Sequence, residues 1–206
     1  MPRPSGARNH DFDEKRAALL NTLTRYALTA DLRRPSLRQF AMAAKQSEPT
    51  LRHYFGDRQG LVIEILENLR SRAMPLWIAF EEPSENVDAA LDAYFALVSE
   101  GLRHGQFARA HAFGLIEGLA DEMVGRAYLE KLLEPALQSL CDKLRVTPGG
   151  PSSEAGLRAA ALAILSPLML MTLHQDLLGG AKTAPIDMEA VTRILRAGLG
   201  RGLSAA

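Results

Sequence analysis

The sequence predicts an all-α protein of about nine helices. A short, basic three-helix N-terminal domain with a helix-turn-helix precedes a larger helical bundle. Three observations carry this. Nearly every segment of the 206 residues repeats its apolar positions with helical period, and none alternates like a strand. Pro, Gly and Ser interrupt the pattern at spacings suited to helix ends. The formal net charge of zero hides a split: residues 1–58 carry 11 Lys+Arg against 6 Asp+Glu, and the remainder is acidic by the same margin.

The first helix runs from Asp11 to about Thr29, with Ala18, Leu19, Leu23, Tyr26 and Ala27 as its apolar positions. Asp11, Asp13 and Glu14 suit its positive N-terminal end. Pro35 stops the chain. Ser36 and Gln39 form a Ser-x-x-Gln capping box for a second helix, which buries Phe40, Ala41 and Ala44. Ser47 caps a third, and Pro49 falls in its first turn, where a missing N–H costs little. Gly56 ends it. Asp57 caps a fourth, with Leu61, Val62, Ile65, Leu66 and Leu69 on one side, running through Pro75 towards Phe80.

Ser84 is read as the cap of a fifth helix bearing Leu91, Tyr94, Phe95, Val98 and Leu102, ended by His104-Gly105. A sixth covers Phe107 to Leu119. Asp121 caps a seventh, continuous through Leu129, Leu132, Leu133, Ala136, Leu140 and Leu144. Residues 148–151 form a loop. The eighth, about 153–178, is the most apolar, with Pro167 expected to bend it. Residues 179–185 are read as a loop, and the ninth helix as about 187–203.

Composition narrows the class. Hydrophobic residues make up 47% and charged residues 23%, as in globular proteins. The one cysteine, Cys141, forms no intramolecular disulfide and has no activating base nearby in sequence. The longest apolar run, Ala159–Leu173, falls short of the roughly 18–20 residues that span a bilayer. Residues 1–10 are basic, lack an apolar signal core and read as a flexible arm. The expectation is a cytoplasmic protein with no membrane association and no cofactor.

The domain boundaries follow: an arm at 1–10, a DNA-binding domain at 11–57, and a ligand-binding and dimerisation domain at 58–206. On a wheel at about 100° per residue, Leu51 and Phe55 of the third helix point inward. Pro49 and His53 point away, Thr50 and Arg52 lie beside them, and Tyr54 flanks. The outward face is small at its leading end and basic behind, which suits a major groove. Thr50 and His53 are placed to read bases. Arg52, Tyr54 and Arg58 are placed to hold phosphates, and Ser36 and Arg38 to straddle the backbone. Lys45 and Ser47, at the turn, complete the expected interface.

The stretch SLRQFAMAAKQSEPTLRHYFGDRQGL resembles the DNA-binding region of the TetR family of transcriptional regulators. The resemblance rests on Phe40-Ala41, Ala44, Ser47, Thr50-Leu51, Phe55, Arg58 and Leu61, and covers about Asp13–Leu69. It implies a homodimer on a palindromic double-stranded DNA operator. It also implies a small-molecule pocket in the larger domain, whose filling moves the two reading heads apart. Three positions depart from the family. Lys45 and Gln46 stand where it has Gly and a small apolar residue, and Arg52 stands for its usual Tyr. Either the turn differs, or Lys45 takes a φ above zero at about 1–2 kcal/mol relative to Gly.

The acidic body offers Trp77, Tyr94, Phe107, His111, Phe113, Met171 and His174 as pocket residues, each competing with a role in core packing. The helices at about 153–178 and 187–203 are apolar or small on more than one side, which fits a homodimer face of four helices. No HExxH, CxxC, P-loop or GxSxG pattern occurs, so neither an enzyme nor a metal site is expected. The competing readings are a helical interaction module that does not bind DNA and, behind it, a small all-α enzyme.

Overall fold

The computed structural model describes the backbone of residues 5–29, 34–103 and 106–203. Within those ranges it describes all side chains except those of 5–9, 99–103, 106–108, 176, 188 and 201–203. The described residues are helical and contain no strand. In order they form α1 (Ser5–Thr29), α2 (Leu37–Ala43), α3 (Glu48–Phe55), α4 (Arg58–Phe80), α5 (Val87–Arg103), α6 (Gln106–Gly118), α7 (Glu122–Tyr128), α8 (Glu134–Val146), α9 (Glu154–Thr172), α10 (Gly180–Thr183) and α11 (Met188–Leu203).

The element ends show which local signals act. Ser36 accepts from Gln39 N–H while the Gln39 side chain accepts from Ser36 N–H, completing the capping box. Ser47, Asp57, Asp121 and Ser153 cap α3, α4, α7 and α9 through side-chain oxygens. The cap of α5 is Asn86, which accepts from Ala89 N–H, and not Ser84. Asn is as strong an N-cap as Ser and stands directly before the first helical residue. The end expected at His104-Gly105 lies outside the described residues.

Four further expectations change. Helix α1 begins at Ser5, so residues 5–10 of the expected arm are helical. The single seventh helix divides into α7 and α8 around a π-turn at Leu129–Leu133. Pro135, with no N–H to donate, opens α8 directly after it. A second π-turn, Leu173–Leu177, follows α9, and the four-residue α10 forms inside the segment read as a loop. Finally, the 22-residue stretch 154–175 is helical and holds an 18-residue window of mean hydropathy 1.7, long and apolar enough to cross a membrane by length and composition. Counting only the unbroken apolar run underestimates it. Its Leu157, Ala161, Ile164, Leu165 and Leu168 are core residues, as the central helix of a bundle requires.

The chain divides into two compact units, 1–72 with 112–131, and 73–111 with 132–206. The first unit thus extends past residue 57 and takes in the second half of α6 and all of α7. It buries Leu23, Phe40, Leu51, Leu61, Ile65 and Leu66 completely or nearly so. Fully burying a Leu or Phe contributes about 1.5–3 kcal/mol, so α2 and α3 are held by this core and not by their own length. The second unit packs Phe80, Leu91, Tyr94, Leu140, Leu144, Ile164, Leu165 and Leu168 into one cluster. One face of α11, Val191, Leu195 and Leu199, packs against that cluster.

Candidate nucleic-acid interface

The turn between α2 and α3 is a Schellman motif. Gln46 N–H donates to Ala41 carbonyl at 2.9 Å and Lys45 N–H to Met42 carbonyl at 3.1 Å. Its left-handed position, normally glycine, is Lys45 with φ 53°. Of the two alternatives for this turn, the geometry shows the second. The turn is a glycine turn carried by lysine, and the lysine bears the strain.

This turn sets α3 with Leu51 and Phe55 buried and Pro49, Arg52 and His53 exposed. Thr50 and Tyr54 are half-buried. The Thr50 hydroxyl lies 2.8 Å from Ser47 Oγ, so the N-cap also orients a residue expected to read bases. Arg38 and Lys45 are exposed, and Ser36 is exposed at the start of α2. The structure therefore gathers Ser36, Arg38, Lys45, Ser47, Pro49, Thr50, Arg52, His53 and Tyr54 on the helix-turn-helix.

Arg58 has a different place from the one expected. Its Nε donates to the Pro35 carbonyl at 2.7 Å, and its Nη2 donates to Glu117 Oε1 at 2.5 Å. Glu117, in α6, is 1% exposed, and its second oxygen accepts from Arg34 Nε at 3.2 Å. A guanidinium committed to two internal acceptors is a strut of the first unit. Beside it, the Gln59 side-chain amide donates to both carboxylate oxygens of Asp121, the cap of α7. That bond, with those from Val124 and Met123 N–H, holds the Asp121 carboxyl below its usual range.

Two glycine contacts let α7 fold tightly back on α6. A Cβ on Gly118 would lie 2.9 Å from the Gly125 backbone, and one on Gly114 would enter the Tyr128 ring. Sequence reasoning missed Glu117 as a partner of Arg58 and Arg34. The separations of 59 and 83 residues leave no local pattern to find. The one available signal was a carboxylate inside an otherwise apolar helical run.

The helix α1 adds a second support. Phe12 lies 4.9 Å from the Tyr54 ring and 5.6 Å, edge-on, from His53. Arg16 sits 5.3 Å over Phe55, donates to the Tyr54 carbonyl, and pairs with Glu64 of α4 at 2.8 Å.

Of the expected pocket residues, Phe113 belongs to the first unit and Trp77, Tyr94, His111, Met171 and His174 to the second. Tyr94 and Met171 belong to the apolar cluster of the second unit, with Tyr94 5.7 Å from Phe80. Burial pushes the Tyr94 hydroxyl well above its usual range. Trp77 and His174 are half-buried in that unit, outside the cluster. His174 lies against Gly180, where a Cβ would overlap its ring. His111 is buried, and desolvation pushes it down to about 4. Phe113 is buried in the first unit, and the Phe107 side chain lies outside the described residues.

Fold and surface together define an all-α chain of two units, the first carrying a helix-turn-helix with an exposed basic face. A solved structure of the same fold is that of the fatty acid degradation regulator FadR from Bacillus halodurans, with TM-score 0.55 and 14% identity over 97% of each chain. No family model matches the chain, and no curated protein matches it by sequence.

Proposed function

We propose that this chain is a ligand-responsive transcriptional regulator of the TetR type. It binds a palindromic DNA operator as a homodimer through α3, and a small molecule releases it. The observation that carries the reading is α3 itself. An eight-residue helix buries two residues and turns Pro49, Arg52 and His53 outward from a basic, capped helix-turn-helix. An interaction module has no need of that charge, and an enzyme no need of that face. The regulator named above has the same fold over nearly the whole chain, which favours a regulator here. Repression and a cytoplasmic location belong to the same reading.

Two further features support the dimer and the effector. Along α9, Leu162, Ser166 and Leu170 are exposed, and along α11, Ile194, Ala197 and Gly198 are exposed. Stripes of this kind suit a self-complementary face. The apolar second unit favours a neutral or aromatic effector. The test is selection of random duplex DNA by the purified protein. A palindromic site bound with a log–log salt slope near −0.9 per neutralised phosphate is expected. Salt-independent or sequence-blind behaviour removes the proposal.

A further inference from the structure

Phe12 has no place in the core. Among the described side chains of α1 the first buried is Leu20, two turns further on, and Phe12 is 37% exposed. A half-wet aromatic ring two turns into a helix needs another partner, and it has two. It lies edge-on to His53, 87° between planes, and tilted on Tyr54. Arg16 is one turn later on the same face and meets Tyr54 and Phe55. One stripe of α1 thus grips three consecutive residues of the reading helix, and Glu64 anchors that stripe to α4.

The consequence falls on His53. An exposed histidine on a helix samples several rotamers and must be ordered on binding. The Phe12 and Tyr54 rings, 4.9 Å from each other, stand together against one side of it, at 5.6 and 5.3 Å. We propose that Phe12 is a specificity-determining positioning residue: its ring fixes the His53 imidazole in the orientation that meets the base edge. This rests on the DNA-reading role proposed above.

The experiment profiles the full-length protein over an operator library randomised at each position. The proteins are the parent, Phe12→Ala, Phe12→Leu, Phe12→Tyr, His53→Ala and the double variant Phe12→Ala/His53→Ala. A good base contact discriminates by about 5- to 150-fold. Loss of orientation should remove roughly 3- to 10-fold of that in Phe12→Ala, at the position His53→Ala flattens and nowhere else. Phe12→Leu keeps bulk without the ring and should behave likewise, and Phe12→Tyr should restore the preference. In the His53→Ala background, Phe12→Ala should add nothing at that position, which a merely structural role would not produce. The proposal is overturned if Phe12→Ala and Phe12→Leu leave that preference intact, or weaken all sequences equally. It is also overturned if His53→Ala changes no preference. A parent that selects no sequence at all is a different result, because it removes the DNA-reading role itself.

Discussion

Arg58 Nη2 lies 2.5 Å from Glu117 Oε1, and that carboxylate is almost wholly buried. Arg58 opens α4 immediately behind α3, and its Nε donates to the Pro35 carbonyl ahead of α2. With Arg34 on the other carboxylate oxygen, Glu117 ties together the start of α2, the start of α4 and the end of α6. Removing the carboxylate leaves two guanidinium groups without their counter-charge. Breaking a fully buried pair costs about 3–5 kcal/mol. Both arginines retain solvent, so Glu117→Gln should cost less, about 2 kcal/mol. Urea unfolding of the two proteins checks it, and a loss under 0.5 kcal/mol, roughly the size of a surface pair, contradicts it.

The same geometry separates Arg58 from Arg52. Arg52 is exposed on α3, whereas Arg58 is engaged twice inside the unit. Arg52→Ala should shallow the log–log salt slope of operator binding by about 0.9. Arg58→Ala should leave that slope nearly unchanged and lower the unfolding free energy instead. Titrating binding at several salt concentrations distinguishes them. Equal slope changes would return Arg58 to the phosphates.

Lys45 holds the left-handed position of the α2–α3 turn with φ 53°. Lys45→Gly removes about 1–2 kcal/mol of native-state strain. It adds roughly 0.5–1 kcal/mol of unfolded-chain entropy. The net should be a gain of about 0.5–1 kcal/mol, read from the urea midpoint at unchanged slope. Operator affinity should fall at the same time if the exposed ammonium meets a phosphate. A destabilised Lys45→Gly protein would mean that the lysine side chain supports the turn in some further way.

Much of this region was legible because its determinants are local. Ser36, Gln39, Ser47 and Gly56 act within four residues of themselves, and the wheel of α3 needs only Leu51 and Phe55 to be oriented. The struts were not legible. Glu117 with Arg58, Asp121 with Gln59, and Phe12 with His53 join residues some forty or more apart. The π-turns were missed for another reason: they keep the apolar period closely enough that the pattern reads as one helix. In the second unit, Tyr94 and Met171 show how an apolar core and an apolar pocket share one sequence signature.

His111 is buried, and desolvation lowers it from 6.5 to about 4. The unfolded chain therefore binds a proton between those values that the folded chain does not. Stability is complete above about pH 6.5 and falls as the pH drops through that window. The slope approaches 1.4 kcal/mol per pH unit, about 2 kcal/mol lost by pH 5. His111→Gln should flatten the profile between pH 6.5 and 5, whatever it does to stability at pH 7.5. Parallel slopes in parent and variant would assign the acid sensitivity to other groups.

The proposed dimer makes the last demand. Leu170 is 67% exposed and Ile194 71% exposed, so neither contributes much to the fold of its own chain. A carboxylate at either position costs a lone chain little. Placed in a four-helix interface, it meets its own copy or an apolar partner without a counter-charge, at several kcal/mol. The variant Leu170→Glu/Ile194→Glu should therefore be monomeric by light scattering while keeping its helical circular dichroism. Its affinity for a full palindromic operator should drop at least tenfold, and its affinity for a half-site should change little. A double variant that still sedimented as a dimer would place the interface elsewhere. One that bound the palindrome as tightly as the parent would mean that the two reading heads need no such coupling.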